Sequence, residues 1–108
     1  MARIPKRLAG PGQLTNAAVT KYTCPALTKT VIRHVHVSNP SGAPVTFTMS
    51  IGADAAGTRV FDALSIAAGS VLDHFCYYIV DAAEIVQALA GTTLTINFTM
   101  DGDEIVLG

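Results

Sequence analysis

The side chains of this 108-residue chain with the richest chemistry are three histidines, two cysteines and eight acidic residues. His34 and His36 are spaced i, i+2, which on a strand puts both rings on one face about 7 Å apart. That spacing holds a metal once further ligands join it, and His74 is a candidate third ligand if its strand lies adjacent. Nothing else in the chain has ligand spacing, and Cys24 and Cys76 alone do not make a metal-binding pattern. The expectation is that His34 and His36 are structural or interface residues on a sheet face, and that no metal is needed.

Other constellations are poorer. Cys24 beside a histidine would be a nucleophilic pair, but no helix N-terminus, thiolate-favouring surroundings or oxyanion donors accompany it. Asp73 with Asp81, or Asp62 with Asp73, would be paired carboxylates for hydrolysis. All three fall at expected strand ends, where solvated aspartates are ordinary. Asp54, Asp62, Asp101, Asp103 and Glu104 are available to a loop calcium site, yet the run Asp101–Glu104 lacks the spacing of a twelve-residue calcium loop. Gly52, Gly57 and Gly69 form no phosphate-binding motif. With no tryptophan and few aromatics, a sugar- or base-stacking platform is poorly supplied. The expectation is a non-catalytic chain with no cofactor and no small-molecule substrate.

The elements that must position these residues are strands. Val45 to Ile51 alternates apolar side chains with hydroxyls, the period-two pattern of a half-buried strand. Thr93 to Met100 repeats it, with Leu94, Ile96, Phe98 and Met100 on one face. Lys29 to Ser38 reads as a third long strand, with Val31, Val35 and Val37 on one face and Ile32, His34 and His36 on the other. Shorter strands are expected over Val19 to Cys24, Thr58 to Phe61 and Glu104 to Leu107. Glu84 to Ala90 is ambiguous between a helical start and a strand. Val71 to Val80 is apolar on both faces, which suggests a central or doubly covered strand. Asn39-Pro40-Ser41-Gly42 is a turn signal that predicts an antiparallel hairpin, and Asp101-Gly102-Asp103 reads as a second tight turn. Seven or eight strands at this spacing, with no long helix, indicate an all-β antiparallel sandwich, jelly-roll-like, over residues 18–108.

Half of the residues are apolar and only 14% are charged, against about 25% in average soluble domains. A surface so poor in charge suits a protein surrounded by other subunits. Arg3, Lys6 and Arg7 are three of the seven basic residues, leaving four basic against eight acidic in the body. Residues 1–17 show no periodicity and contain Pro5, Gly10, Pro11 and Gly12. They read as an extended basic N-terminal arm, either a loose terminus or one whose Ile4, Leu8 and Leu14 would anchor it on a neighbour, with Arg3, Lys6 and Arg7 alongside. Three cations on an otherwise acidic chain make direct nucleic-acid binding an unfavoured function. No signal peptide is expected, since no apolar core follows the basic start. No apolar run approaches the ~20 residues of a membrane span. Both cysteines are expected to be buried free thiols.

The segments Tyr22-Thr23-Cys24-Pro25-Ala26, Thr28-Lys29, Ile32–Asn39 and Ser50–Arg59 carry a resemblance. From about Ala17 to Ala90 the chain resembles small virion structural proteins of tailed bacteriophages, especially those of actinobacterial hosts. The resemblance implies a β-sandwich that decorates the capsid or belongs to the tail, made in the host cytoplasm and carried in the virion. It implies no enzyme activity and transfers no site residues. The expected partners are other copies of the chain and a major capsid or tail protein. Capsid decoration is the first expectation, with a tail or connector component or a host-surface-binding sandwich as alternatives.

Overall fold

The structure is a computed structural model and describes residues 2–107. Eight strands run in chain order: β1 (Ala2–Gln13), β2 (Val19–Thr23), β3 (Thr28–Ser38), β4 (Val45–Ile51), β5 (Arg59–Ile66), β6 (Val71–Val80), β7 (Ile85–Ala90) and β8 (Asn97–Val106). They form two four-stranded antiparallel sheets, β1-β8-β3-β6 and β2-β7-β4-β5. The pairing is nested: β1 with β8, β2 with β7, β3 with β6 and β4 with β5. Every connection except β4–β5 moves the chain from one sheet to the other. The Asn39–Gly42 turn is therefore not a hairpin turn, because it carries the chain from β3 in one sheet to β4 in the other. Asn39 anchors it, donating from Nδ2 to the carbonyls of Ala43 and Ile66, both at 2.9 Å.

The core lies between the sheets and follows the alternation of each strand. Phe47 and Met49 of β4, Val86, Ala88 and Ala90 of β7, and Phe98 and Met100 of β8 meet there, each almost wholly buried. Burying one such large side chain contributes about 1.5–3 kcal/mol. In β3 a bulge between Ile32 and His34 shifts the pattern by one residue. Ile32, Val35 and Val37 face the core as a result, while Val31, though buried, stands outside it. A bulge sets two residues against one, so residues on either side of it change faces.

Three further expectations are corrected. Leu94 is not a core residue: it sits in the turn before β8 with φ +53° and is 59% exposed, so the strand begins at Asn97. Asp101-Gly102-Asp103 is not a turn but the middle of β8. Gly102 fits there because a Cβ would lie 2.0 Å from the Val31 carbonyl oxygen, so only a residue without one lets β3 approach. β6 is neither central nor doubly covered: it is an edge strand with an open outer face.

The extended arm over residues 1–17 is corrected as well. Residues 2–13 are edge strand β1, paired along their length with β8 from Ala2↔Val106 to Gln13↔Asn97. Met1 and Gly108, the outer ends of the two expected segments, lie outside the described residues. Leu8 and Leu14 are buried in the core and cannot clamp a neighbour, while Ile4 and Arg7 are exposed on the strand. The basic N-terminus and the acidic Asp103-Glu104 pair are strand partners. Arg3 reaches Asp103 at 2.9 Å and Lys6 reaches Glu104 at 3.2 Å. Glu104 faces inward, where Tyr22 donates its hydroxyl proton to it at 2.5 Å, and Thr30 Oγ1 lies 2.6 Å from the Tyr22 oxygen. Burial, reinforced by the hydrogen bond to Glu104, pushes the Tyr22 hydroxyl above its ordinary pKa. Among the described residues no buried side-chain nitrogen or oxygen lacks a partner.

Candidate functional site

The outer face of the β1-β8-β3-β6 sheet gathers most of the residues with chemistry. The bulge in β3 turns His34 and His36 to this face, and β6 lies beside them in the register His34↔Phe75, His36↔Asp73. Along β6, Leu72, Cys76, Tyr78 and Val80 turn to the core, leaving Val71, Asp73, Phe75, Tyr77 and Ile79 exposed.

The Asp73 carboxylate is the meeting point. Its Oδ1 lies 2.9 Å from His34 Nε2 and 2.6 Å from His36 Nδ1, so each imidazole N–H can donate to the same oxygen. Hydrogen bonds from His36 and then His34 hold the Asp73 carboxyl below the usual carboxylate range. On the other side of the His34 ring, Nδ1 lies 3.7 Å from Asp101 Oδ2 of β8. Phe75 stacks on His34 with centroids 4.5 Å apart and planes within 10° of parallel.

Next along the sheet, Arg33 and Arg3 both contact Asp103, Arg33 Nε at 2.6 Å. Arg33, with Arg3 adding to it, holds the Asp103 carboxyl low. The Arg33 guanidinium also lies 5.5 Å from the Tyr77 ring centroid. The face thus carries two compact polar clusters among exposed aromatic and aliphatic side chains, with Phe75 77% and Tyr77 65% exposed.

His74 does not join His34 and His36. It points between the sheets, edge-on to Phe61 at 5.0 Å and 3.1 Å from the Tyr78 hydroxyl. The third member of the cluster is Asp73; neither its outward position, on a strand read as apolar on both faces, nor its register against His36 was readable from the sequence. The paired carboxylates do not assemble: Asp81 contacts Lys29, and Asp62 contacts Arg59. Asp54 is also held by Arg59, and with Asp103 and Glu104 in ion pairs, the acidic groups considered for calcium are largely paired. Cys24 is buried against Thr28 and Thr30, with no histidine among its contacts. Both cysteines are free, but Cys76 is only half-buried, and burial raises its thiol pKa.

No protein-family model, curated protein or solved structure matches the chain.

Proposed function

We propose that the protein is a non-enzymatic structural subunit of a bacteriophage virion, a capsid decoration protein that binds and stabilises the major capsid lattice. The observation that carries this reading is the nested strand order β1-β8-β3-β6 against β2-β7-β4-β5. A long antiparallel ribbon pairing first strand with last and rolled into two sheets has this order. This order supports reading the sandwich as a jelly roll, a form that viral capsid domains use.

Two surface features favour a partner of subunit size. Val71, Phe75, Tyr77 and Ile79 stand in a row along edge strand β6 and expose apolar area to be covered. Exposed apolar rows rimmed by polar groups mark interaction surfaces. Among the described residues there is no pocket of the kind that encloses a small molecule. The partners in this reading are the major capsid protein and further copies of the chain, with His34 and His36 inside the covered face. The protein is made in the host cytoplasm and resides in the virion.

The test is electron cryomicroscopy of intact particles, paired with a Phe75→Asp, Tyr77→Asp variant. Both residues are exposed, so the variant should fold. The expected result is density for the sandwich on the outer capsid lattice and sharply reduced occupancy for the variant. Density confined to the tail would replace decoration with a tail role. Absence of the chain from particles would refute the proposal.

A further inference from the structure

We propose that His34, His36 and Asp73 form a binding site for a divalent transition-metal ion of the zinc class on the outer face of the β3–β6 pair. The His34 Nε2, His36 Nδ1 and Asp73 Oδ1 atoms all lie within 4.8 Å of one another. Among the described residues no other histidine, cysteine or carboxylate trio converges this closely.

Zinc bonds of about 2.0–2.1 Å in a tetrahedron place neighbouring ligand atoms about 3.3 Å apart. The two nitrogens stand 2.9 and 2.6 Å from Asp73 Oδ1. Each nitrogen therefore has to move only about half an ångström away from Asp73 Oδ1 for an ion to replace the protons shared with that oxygen. Asp73 and the rings are partly exposed, so rotamer adjustments without backbone movement can supply this.

The surroundings favour the metal-ready arrangement. Asp101 lies 3.7 Å from His34 Nδ1, so once an ion takes Nε2 the ring proton on Nδ1 would face this carboxylate. A carboxylate on the far side of a ligating imidazole is the usual outer partner of a zinc histidine. Phe75 stacked on the ring restricts its rotation. Two imidazoles with one carboxylate select zinc-like ions over calcium or magnesium, which prefer oxygen ligands throughout. Three protein ligands leave a fourth position facing outward, for water. Because His34 and His36 belong to β3 and Asp73 to β6, the ion would pin the edge strand to the sheet.

The experiment uses the full chain, purified without a polyhistidine tag, stripped with chelator and dialysed against zinc. Metal analysis should find one equivalent retained, and titration against a zinc-binding dye should show a single site. His36→Ala and Asp73→Asn should each weaken binding by about tenfold or more, as at other ligating and supporting positions. Asp81→Asn, an exposed carboxylate away from the cluster, should leave it unchanged. In nuclear magnetic resonance spectra, zinc should shift the ring signals of His34 and His36 and leave those of His74. Retention of less than a tenth of an equivalent would overturn the proposal, leaving only a hydrogen-bonded trio. Stoichiometric zinc that survives both substitutions, or that leaves the His34 and His36 signals unmoved, would overturn it equally. Circular dichroism of each variant separates loss of the site from loss of the fold.

Discussion

Replacing Leu14 with alanine tests whether the N-terminal segment is part of the sandwich. Leu14 follows β1 directly and is fully buried in the core cluster. Its N–H donates to the Ile96 carbonyl at 3.2 Å and its carbonyl accepts from Leu94 at 2.8 Å, contacts an alanine would keep. The perturbation is therefore lost side-chain packing, and truncating a buried leucine costs about 2–5 kcal/mol. A domain of this size has only about 5–15 kcal/mol of total stability, so the variant should fold but be visibly weakened. In urea, with a slope of about 1–3 kcal/mol/M, a loss of about 3 kcal/mol lowers the unfolding midpoint by about 1–3 M. Leu14→Met, which keeps most of the volume, should cost less than about 1.5 kcal/mol and serves if the alanine variant unfolds. Ile4→Ala is the matched control: Ile4 is 46% exposed on the same strand and should cost under about 1 kcal/mol. If Leu14→Ala costs less than about 1 kcal/mol with an unchanged slope, residues 2–14 do not pack on the sandwich and the β1–β8 pairing is wrong.

Gly102→Ala should destabilise by about 1–3 kcal/mol or more, because the new Cβ would meet the Val31 carbonyl oxygen at 2.0 Å. Gly12→Ala on β1, where a Cβ meets nothing within 4 Å, should be tolerated. Equal melting temperatures for the two variants would contradict the close β3–β8 approach. Acid should also weaken the fold in a defined direction. The Asp103 and Asp73 carboxyls are held low, by Arg33 with Arg3 and by His36 with His34. Their stabilisation is therefore fully present above the ordinary carboxylate value of about 3.9 and is lost as pH falls through the lowered values. Urea midpoints measured between neutral pH and the acid limb should fall along this course, and Asp103→Asn should flatten the fall while lowering stability at neutral pH. An unchanged acid limb in that variant would show that Asp103 does not carry the effect.

The alternation of Val45–Ile51 by itself determined strand β4, its inward face and its bounds, since a period of two with one apolar side has one stable placement. The all-β class, the two-sheet form and the span of β6 were legible as well, but the face that Asp73 takes was not, because Val71–Val80 is apolar on both faces in sequence. Pairing was not legible. Arg3, Lys6 and Arg7 at one end of the chain and Asp103 and Glu104 at the other stood in plain view, but the sequence does not state that β1 lies along β8. Prolines and glycines in the segment suppressed a strand reading that an edge position tolerates, because an edge strand leaves one side of its backbone unpaired. The bulge at Arg33 was equally hidden: one extra residue moves Ile32 into the core and takes Val31 out of it, and local pattern cannot distinguish that from an unbroken strand. The tertiary structure alone decided that His36 faces Asp73 and that His74 does not join them. Strand neighbours separated by 37 residues are set by how two sheets close over a shared core, not by anything local to either strand.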